Sequence, residues 1–407
     1  MLDWPFLFLY RYGRDNPRGA GRRLSQLPRW FVRRLARARL TRLLRYVFRN
    51  SPVQRRRWQE AGIRWRDLRS LEVLPHIPLT EGTDLALHPE NYVCVPPREL
   101  LHVIGTAGTT GQAKRIFLTR DDMEQQTDLV GASLYRLDGA RRVLAIFIVD
   151  DPTWCTGRVI RRGIEKARMF GLLSASDRPT SYQLDLIRDY RIDTVVTTPT
   201  TMHRLTLEAD RDLRRLGLCY MLLTAESWTE QLRRYLQSAW GAVALDGYGC
   251  NECAGAVAGE CPVQEGLHVA ESHFWVEVVD PVTGKPVPDG REGEVVVTTL
   301  GRRGMPLVRY RTRDVAFLYP ESECCECGVP LRRLSRIRGR LDKMLTLGPG
   351  TNVYPDQFDE ALFSIPGVTD YQVVVEKDRY VDVLEVTVET DRNPAEMKDL
   401  VVDALMG

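Results

Sequence analysis

The segment Gly105-Thr106-Ala107-Gly108-Thr109-Thr110-Gly111-Gln112-Ala113-Lys114 gathers the residue types that hold a polyanion. Glycines let the backbone come close to phosphate oxygens, and successive N–H groups can surround them. The threonine hydroxyls add donors and can reach a magnesium ion, and Lys114 adds a mobile positive charge. The spacing does not fit a G-x-x-x-x-G-K-[ST] phosphate loop at any register, and a plain surface loop is the competing reading. A second cluster could bind metal. Cys261 and His268 are separated by six residues, and Cys325 and Cys327 follow far downstream. Three thiolates and one imidazole make a tetrahedral zinc set, which when filled leaves no open position for chemistry. Zinc is favoured over free thiols, and Cys253 and Cys324 are alternative ligands.

These residues need elements to position them. Leu101-His102-Val103-Ile104 reads as a short strand running into the Gly/Thr-rich loop. Val143–Val149 is a continuous apolar run of strand length. Thr194–Thr197 and Tyr220–Leu223 are further short strands between helix-like segments, an alternation that predicts α/β layers. From His273 the chain turns β-rich: Phe274–Asp280 and Val295–Thr299 read as antiparallel hairpins around a Pro/Gly-rich turn. After Asp342 a fresh unit begins, with a helix near 356–363, strands at 371–375 and 383–388, and a last helix from about Pro394. The expected organisation is a large domain of layered α/β sheets over residues 1–341, with a β-rich subdomain at about 265–335, followed by a small, shortened α+β domain over 342–407.

The 407 residues exceed one ordinary domain. With 43% hydrophobic and 27% charged residues, the chain has the mix of a soluble enzyme with a sizeable core. A net charge of +3 argues against nucleic acid as a partner. Arginines dominate residues 11–57, and in Trp30–Leu40 they alternate with apolar residues at helical spacing. A packed helix with a basic outer side is favoured over a membrane-surface or nucleic-acid helix, because no basic block runs uninterrupted. No run approaches the ~20 apolar residues of a membrane span. The N-terminal apolar stretch lacks a basic flank and a cleavage site, so no signal peptide is expected. Nine cysteines, an odd number, read as reduced thiols or metal ligands, and the cytoplasm is the expected compartment.

Further motifs follow the Gly/Thr-rich loop in a fixed order: Thr197-Thr198-Pro199, Ala225-Glu226-Ser227-Trp228, Tyr248-Gly249-Cys250-Asn251-Glu252, Val308-Arg309-Tyr310-Arg311-Thr312-Arg313-Asp314, Gly339-Arg340-Leu341-Asp342 and Asn352-Val353-Tyr354-Pro355-Asp356-Gln357. Together they resemble the adenylate-forming superfamily of acid-activating enzymes, in its phenylacetate–CoA ligase-like branch. The resemblance implies that ATP and a carboxylic acid give an acyl-adenylate and pyrophosphate. It places Thr106, Gly108, Thr109, Thr110, Gly111 and Lys114 around the phosphates. Glu252 matches the acid that helps hold Mg2+, a hard cation that prefers oxygen ligands. Asp314 matches the carboxylate that accepts from both ribose hydroxyls, and Ala225, Glu226, Tyr248 and Gly249 match segments that flank adenine. Arg340 matches the basic residue near ribose and phosphate, with Arg338 close enough to be confused with it, and Asp342 matches the hinge of a rotating small domain. Phe147, Trp154 and Gly157 are the implied lining of the acyl pocket, with ordinary core packing as the alternative. Some members of that branch carry a zinc site at the places of Cys261, His268, Cys325 and Cys327.

The resemblance also leads one to expect a lysine-bearing segment beyond Ala404-Leu405-Met406-Gly407; after the hinge region the lysines are Lys377 and Lys398. Activation of an acid, with an aromatic one favoured, is the leading expectation. The acceptor is CoA, a carrier protein, or an amine or alcohol, and a homodimer is compatible with it. A catalytically reduced or partner-dependent nucleotide-binding protein on the same fold is the alternative.

Overall fold

The computed structural model describes residues 28–105, 113–135, 137, 140–147, 156–343, 345–347, 351–353, 355–362, 365, 367–378, 381–390 and 392–406. The helices Arg29–Asn50 and Pro52–Glu60 come first. The arginine-rich helix buries Val32, Leu35, Ala36, Leu40, Leu43, Leu44, Val47 and Phe48, residues spaced by three and four along one face. That face packs with Trp58, Ile63, Leu68 and Leu300 into a core cluster, so the basic helix is a packed element, with Arg33, Arg34, Arg37, Arg42 and Arg49 exposed and Arg29, Arg39 and Arg45 half-buried. Ser51 caps the second helix by accepting from the Gln54 N–H, and Pro52 occupies its first turn.

Strands β1 (Leu100–Gly105) and β2 (Arg115–Thr119) form an antiparallel pair in which Gly105, the first residue of the Gly/Thr-rich segment, faces Arg115, the residue that follows it. The main sheet follows. β3 (Arg142–Phe147), β4 (Phe170–Ala175), β5 (Thr194–Thr197), β6 (Tyr220–Thr224) and β7 (Val243–Cys250) pair in parallel in the order β4-β3-β5-β6-β7. Buried on both faces, neither β3 nor β5 alternates: β3 is an apolar run after Arg142, and all four residues of β5, Thr-Val-Val-Thr, are buried. β8 (Gly255–Glu260) and β9 (Leu267–Val269) extend the sheet antiparallel from β7.

β10 (Phe274–Val279), β11 (Gly293–Thr299) and β12 (Tyr310–Ala316) form an antiparallel meander. The short β13 (Arg333–Leu334) returns to pair with β9 and closes the edge of the eight-stranded sheet, while β14 (Gly339–Arg340) pairs with β12. The β-rich stretch 265–335 is thus shared between two sheets, whose facing residues Tyr248, Val257, Leu267, Phe274, Val295 and Leu334 pack as one cluster. Beyond Asp342, β15 (Leu345–Leu347) pairs with β16 (Thr351–Val353), and β17 (Val368–Asp378) with β18 (Val381–Thr390). The helices Pro355–Leu362 and Pro394–Met406 cover this unit, and Phe358, Leu362, Ile365 and Met397 form its own core. A layered α/β body with a small α+β unit is the class that the sequence predicts. Among the described residues no helix is long and apolar enough to cross a membrane.

Candidate active site

The carboxyl ends of the parallel strands gather the motifs. β3 ends at Phe147, β5 leads into Thr198-Pro199, β6 into Ala225-Glu226, and β7 carries Tyr248 and Gly249 before Glu252. The order reverses between β3 and β5, and ligands of open α/β sheets bind at such a switch point. Ala225 takes a left-handed conformation (φ 75°), which turns the chain sharply off β6. Glu226 is then tied down: it accepts from the Thr200 N–H at 3.0 Å and from the Thr200 hydroxyl at 2.8 Å, at the start of the helix Pro199–Leu207. Gly249 is required by a close approach, since a Cβ there would meet the Gly255 oxygen at 2.4 Å.

Two polar groups lie across this edge from the second sheet. In the first, Lys114 Nζ donates to Glu252 Oε1 at 2.6 Å and to the Tyr310 hydroxyl at 3.1 Å, and Tyr310 donates to the same Glu252 oxygen at 2.8 Å. Glu252 is 6% exposed. Burial opposes its charge, but the Lys114 ammonium and the hydrogen bonds from Lys114 and Tyr310 outweigh it and hold the carboxyl below the usual range. In the second group, Tyr248 donates from its hydroxyl to Asp314 Oδ2 at 2.6 Å. Asp314 is half-buried, and burial pushes its carboxyl up to about 6 against the pull of Tyr248 and Arg340. Arg340 is the cross-strand partner of Asp314 and also donates to Asp342 Oδ1 at 2.9 Å. Arg338 instead pairs with Glu292 at 2.9 Å.

The motif Val308–Asp314 divides by parity. Tyr310 and Asp314 meet Glu252 and Tyr248, whereas Arg309, Arg311 and Arg313 go to Glu277, Glu294 and Glu81. Those ion pairs fix the strand that presents the site. Tyr310, 2% exposed, is a site residue that sequence reasoning missed. Its position four before Asp314 on a strand was the available signal.

Thr106, Gly108, Thr109, Thr110, Gly111 and Trp154 lie outside the described residues. Phe147 packs among Leu134, Val143, Ile160, Ile164 and Val196, in the core beneath the strand ends. Gly157 lies in the first turn of the helix Thr156–Lys166, with Leu173 its nearest neighbour. Elsewhere, the donor atoms of Cys261, His268, Cys325 and Cys327 all lie within 4.8 Å of one another. Cys261 follows β8, His268 is in β9, and β13 sets Arg333 against His268. Cys324 is exposed and Cys253 is buried at the Glu252 turn, so neither joins the set.

Two buried or half-buried carboxylates, Glu252 and Asp314, thus meet Lys114, Tyr310, Tyr248 and Arg340 at the strand ends, on the fold of the adenylate-forming ligases. The chain belongs to the AMP-binding enzyme family, whose profile matches residues 46–301, and the AMP-binding enzyme C-terminal domain matches residues 350–403. It is 37% identical over 373 residues to the phenylacetate-coenzyme A ligase of Thermus thermophilus, covering 90% of this chain and 83% of that protein. The phenylacetate-coenzyme A ligase of Escherichia coli is 32% identical over 359 residues, covering 86% and 80%. The fold matches that of a 2-hydroxyisobutyryl-CoA ligase in the postadenylation state with a TM-score of 0.82, at 24% identity and over 92% of this chain and 84% of that one.

Proposed function

We propose that this chain is an AMP-forming acid–CoA ligase whose acid is aromatic, with Glu252 and Asp314 as its two nucleotide-directed carboxylates. The observation that carries the reading is their placement on one edge, Glu252 held by Lys114 and Tyr310, Asp314 by Tyr248 and beside Arg340. A carboxylate oxygen of the acid attacks the α-phosphorus of ATP, and the bond to the β-phosphate oxygen breaks to release pyrophosphate. The CoA sulfur then attacks the acyl carbon and AMP leaves. Two anions meet in the first step, so the site must supply positive charge and fixed donors. Lys114 and Arg340 supply charge, and Asp314 accepts from the two ribose hydroxyls, which orients the α-phosphorus. Ala225, Glu226 and Tyr248 flank the adenine. Glu252 would hold Mg2+, which would offset charge on the phosphate oxygens. Asp342 is the hinge between a large unit of residues 1–341 and a small one of 342–407, and its contact with Arg340 links the swing to the nucleotide. The aromatic assignment draws on the relatives that are phenylacetate-coenzyme A ligases.

The Cys261/His268/Cys325/Cys327 set fits structural zinc. In a tetrahedron with Zn–S bonds of about 2.3 Å, two sulfurs stand about 3.8 Å apart. Cys261 and Cys325 stand at 3.7 Å. Without a cation the cluster is uneasy: burial, with the neighbouring Cys327 and Cys325 sulfurs adding to it, pushes the Cys261 thiol up to about 12. Zinc would clip β8, β9 and the loop before β13 together at the sheet edge.

The test is magnesium-dependent ATP–pyrophosphate exchange over phenylacetic, benzoic, heteroaromatic and short aliphatic acids, followed by thioester formation with CoA. Exchange and thioester with an aryl acid support the reading. Exchange with aliphatic acids alone sinks the aromatic assignment, and no exchange despite bound ATP sinks the ligase reading for the chain acting alone.

A further inference from the structure

The turn that carries Glu252 is one the backbone does not favour unaided. Asn251–Cys253 is a single 3-10 turn, and the next residue, Ala254, is left-handed at φ 62°. A side-chain-bearing residue resists that conformation, so something outside the turn must hold it. Arg302 does so. It is 5% exposed, and its Nη1 donates to the main-chain oxygen of Glu252 at 2.6 Å. The stretch that carries Arg302 is pinned in turn, because the N–H groups of Arg303 and Gly304 donate to the Asp122 carboxylate at 2.7 and 2.9 Å.

The arrangement is costly in other respects. Nη2 of Arg302 is buried without a hydrogen-bond partner among the described residues. Gln126 Oε1, which would lie 3.2 Å from a Cβ at Gly255, is likewise a buried acceptor without one. Unsatisfied buried groups on both sides of a turn oppose folding, and a core built for stability alone would place apolar side chains there. What the guanidinium gains is a rigid grip on the residue whose carboxylate faces Lys114.

We propose that Arg302 is the positioning residue of the magnesium carboxylate, clamping the strained Glu252 turn from within the core so that the Glu252 side chain meets the metal at a fixed place. This rests on the reading of Glu252 as that carboxylate.

The experiment separates the two claims. ATP is titrated into the full chain by calorimetry, in EDTA and in saturating Mg2+, and the ratio of affinities gives the gain due to magnesium. Arg302→Met is expected to cut that gain about tenfold, the scale of one charge-assisted hydrogen bond, and to leave the magnesium-free affinity unchanged. In pyrophosphate exchange the same variant should need about tenfold more Mg2+ for half-maximal rate, with the rate at saturating Mg2+ within about threefold of the parent. Arg302→Lys, which keeps a donor, should recover most of the gain. Glu252→Gln should lose the gain altogether. An unchanged gain in Arg302→Met, beside a lost gain in Glu252→Gln, overturns the clamp and leaves the Glu252 reading standing. An unchanged gain in Glu252→Gln overturns both. Should Arg302→Met not fold, Arg302→Gln carries the same test. Equal weakening of ATP with and without Mg2+ in that variant would show a merely structural residue and also overturns the proposal.

Discussion

Replacing Asp314 by asparagine should stabilise the nucleotide-free protein while weakening ATP. Burial lifts the Asp314 carboxyl to about 6, from about 3.9 in an unfolded chain. A folded-state value above the unfolded one gives stability that is full below about pH 4 and lost as pH rises through about 6. Two units correspond to about 3 kcal/mol, and solvent access to this half-buried group reduces that to roughly 1–2 kcal/mol. Asparagine carries no charge at any of these pH values and can still accept from Tyr248. Thermal melts without nucleotide should therefore show Asp314→Asn melting about 1–2 °C above the parent at pH 7.5, with about a third of that between them at pH 4.5. At pH 7.5 the same variant should bind ATP about 10- to 30-fold more weakly, because two charge-assisted bonds to ribose become neutral ones. Parent affinity for ATP should fall as pH drops below about 6, and the variant's should not. A variant that melts below the parent at pH 7.5, or equally far above it at both pH values, would refute the claim that this carboxylate is held charged at a cost for the sake of the ribose.

Arg340→Ala should slow pyrophosphate exchange at least about tenfold, whereas Arg338→Ala should change it less than about twofold; similar losses in both would show that cross-strand pairing with Asp314 does not decide which arginine serves the nucleotide. Elemental analysis should find one zinc per chain, and Cys325→Ser should lose it and lower the melting temperature, while exchange at moderate temperature persists. A metal-free native protein would count against the site. Glu277→Gln leaves the buried Arg309 without its carboxylate and should cost about 3 kcal/mol in urea unfolding, with a loss below about 1 kcal/mol speaking against a structural role for that pair.

Much of this molecule was legible from local pattern. β3 is a short apolar run because both faces are covered, and the small unit's helix–strand–strand–helix order was visible from its turn residues and periodicity. The register of β13 was not legible. Two residues, Arg333 and Leu334, carry no periodic signal, and only their pairing with β9 brings Cys325 and Cys327 to His268. The choice among Cys253, Cys324 and the final set was therefore a long-range question. Arg302 was hidden for a similar reason: nothing near it in sequence marks an arginine as buried, and its partner is a main-chain oxygen 50 residues away.

The parity of Val308–Asp314 explains why one short strand holds so much of the site. Arg309 is fully buried against Glu277 and also donates to the main-chain oxygens of Ile77 and Gly284. Arg311 grips Glu294 and Glu81, and Arg313 shares Glu81. A strand fastened on one side by charged, multiply bonded groups has little freedom to shift its other side. Tyr310 and Asp314 inherit that rigidity, and they reach two different residues of the β7 segment, Glu252 and Tyr248. Preorganised donors act only if they need not move during the reaction. The arginines of the motif thus fix, through Glu277, Glu294 and Glu81, where Tyr310 and Asp314 stand.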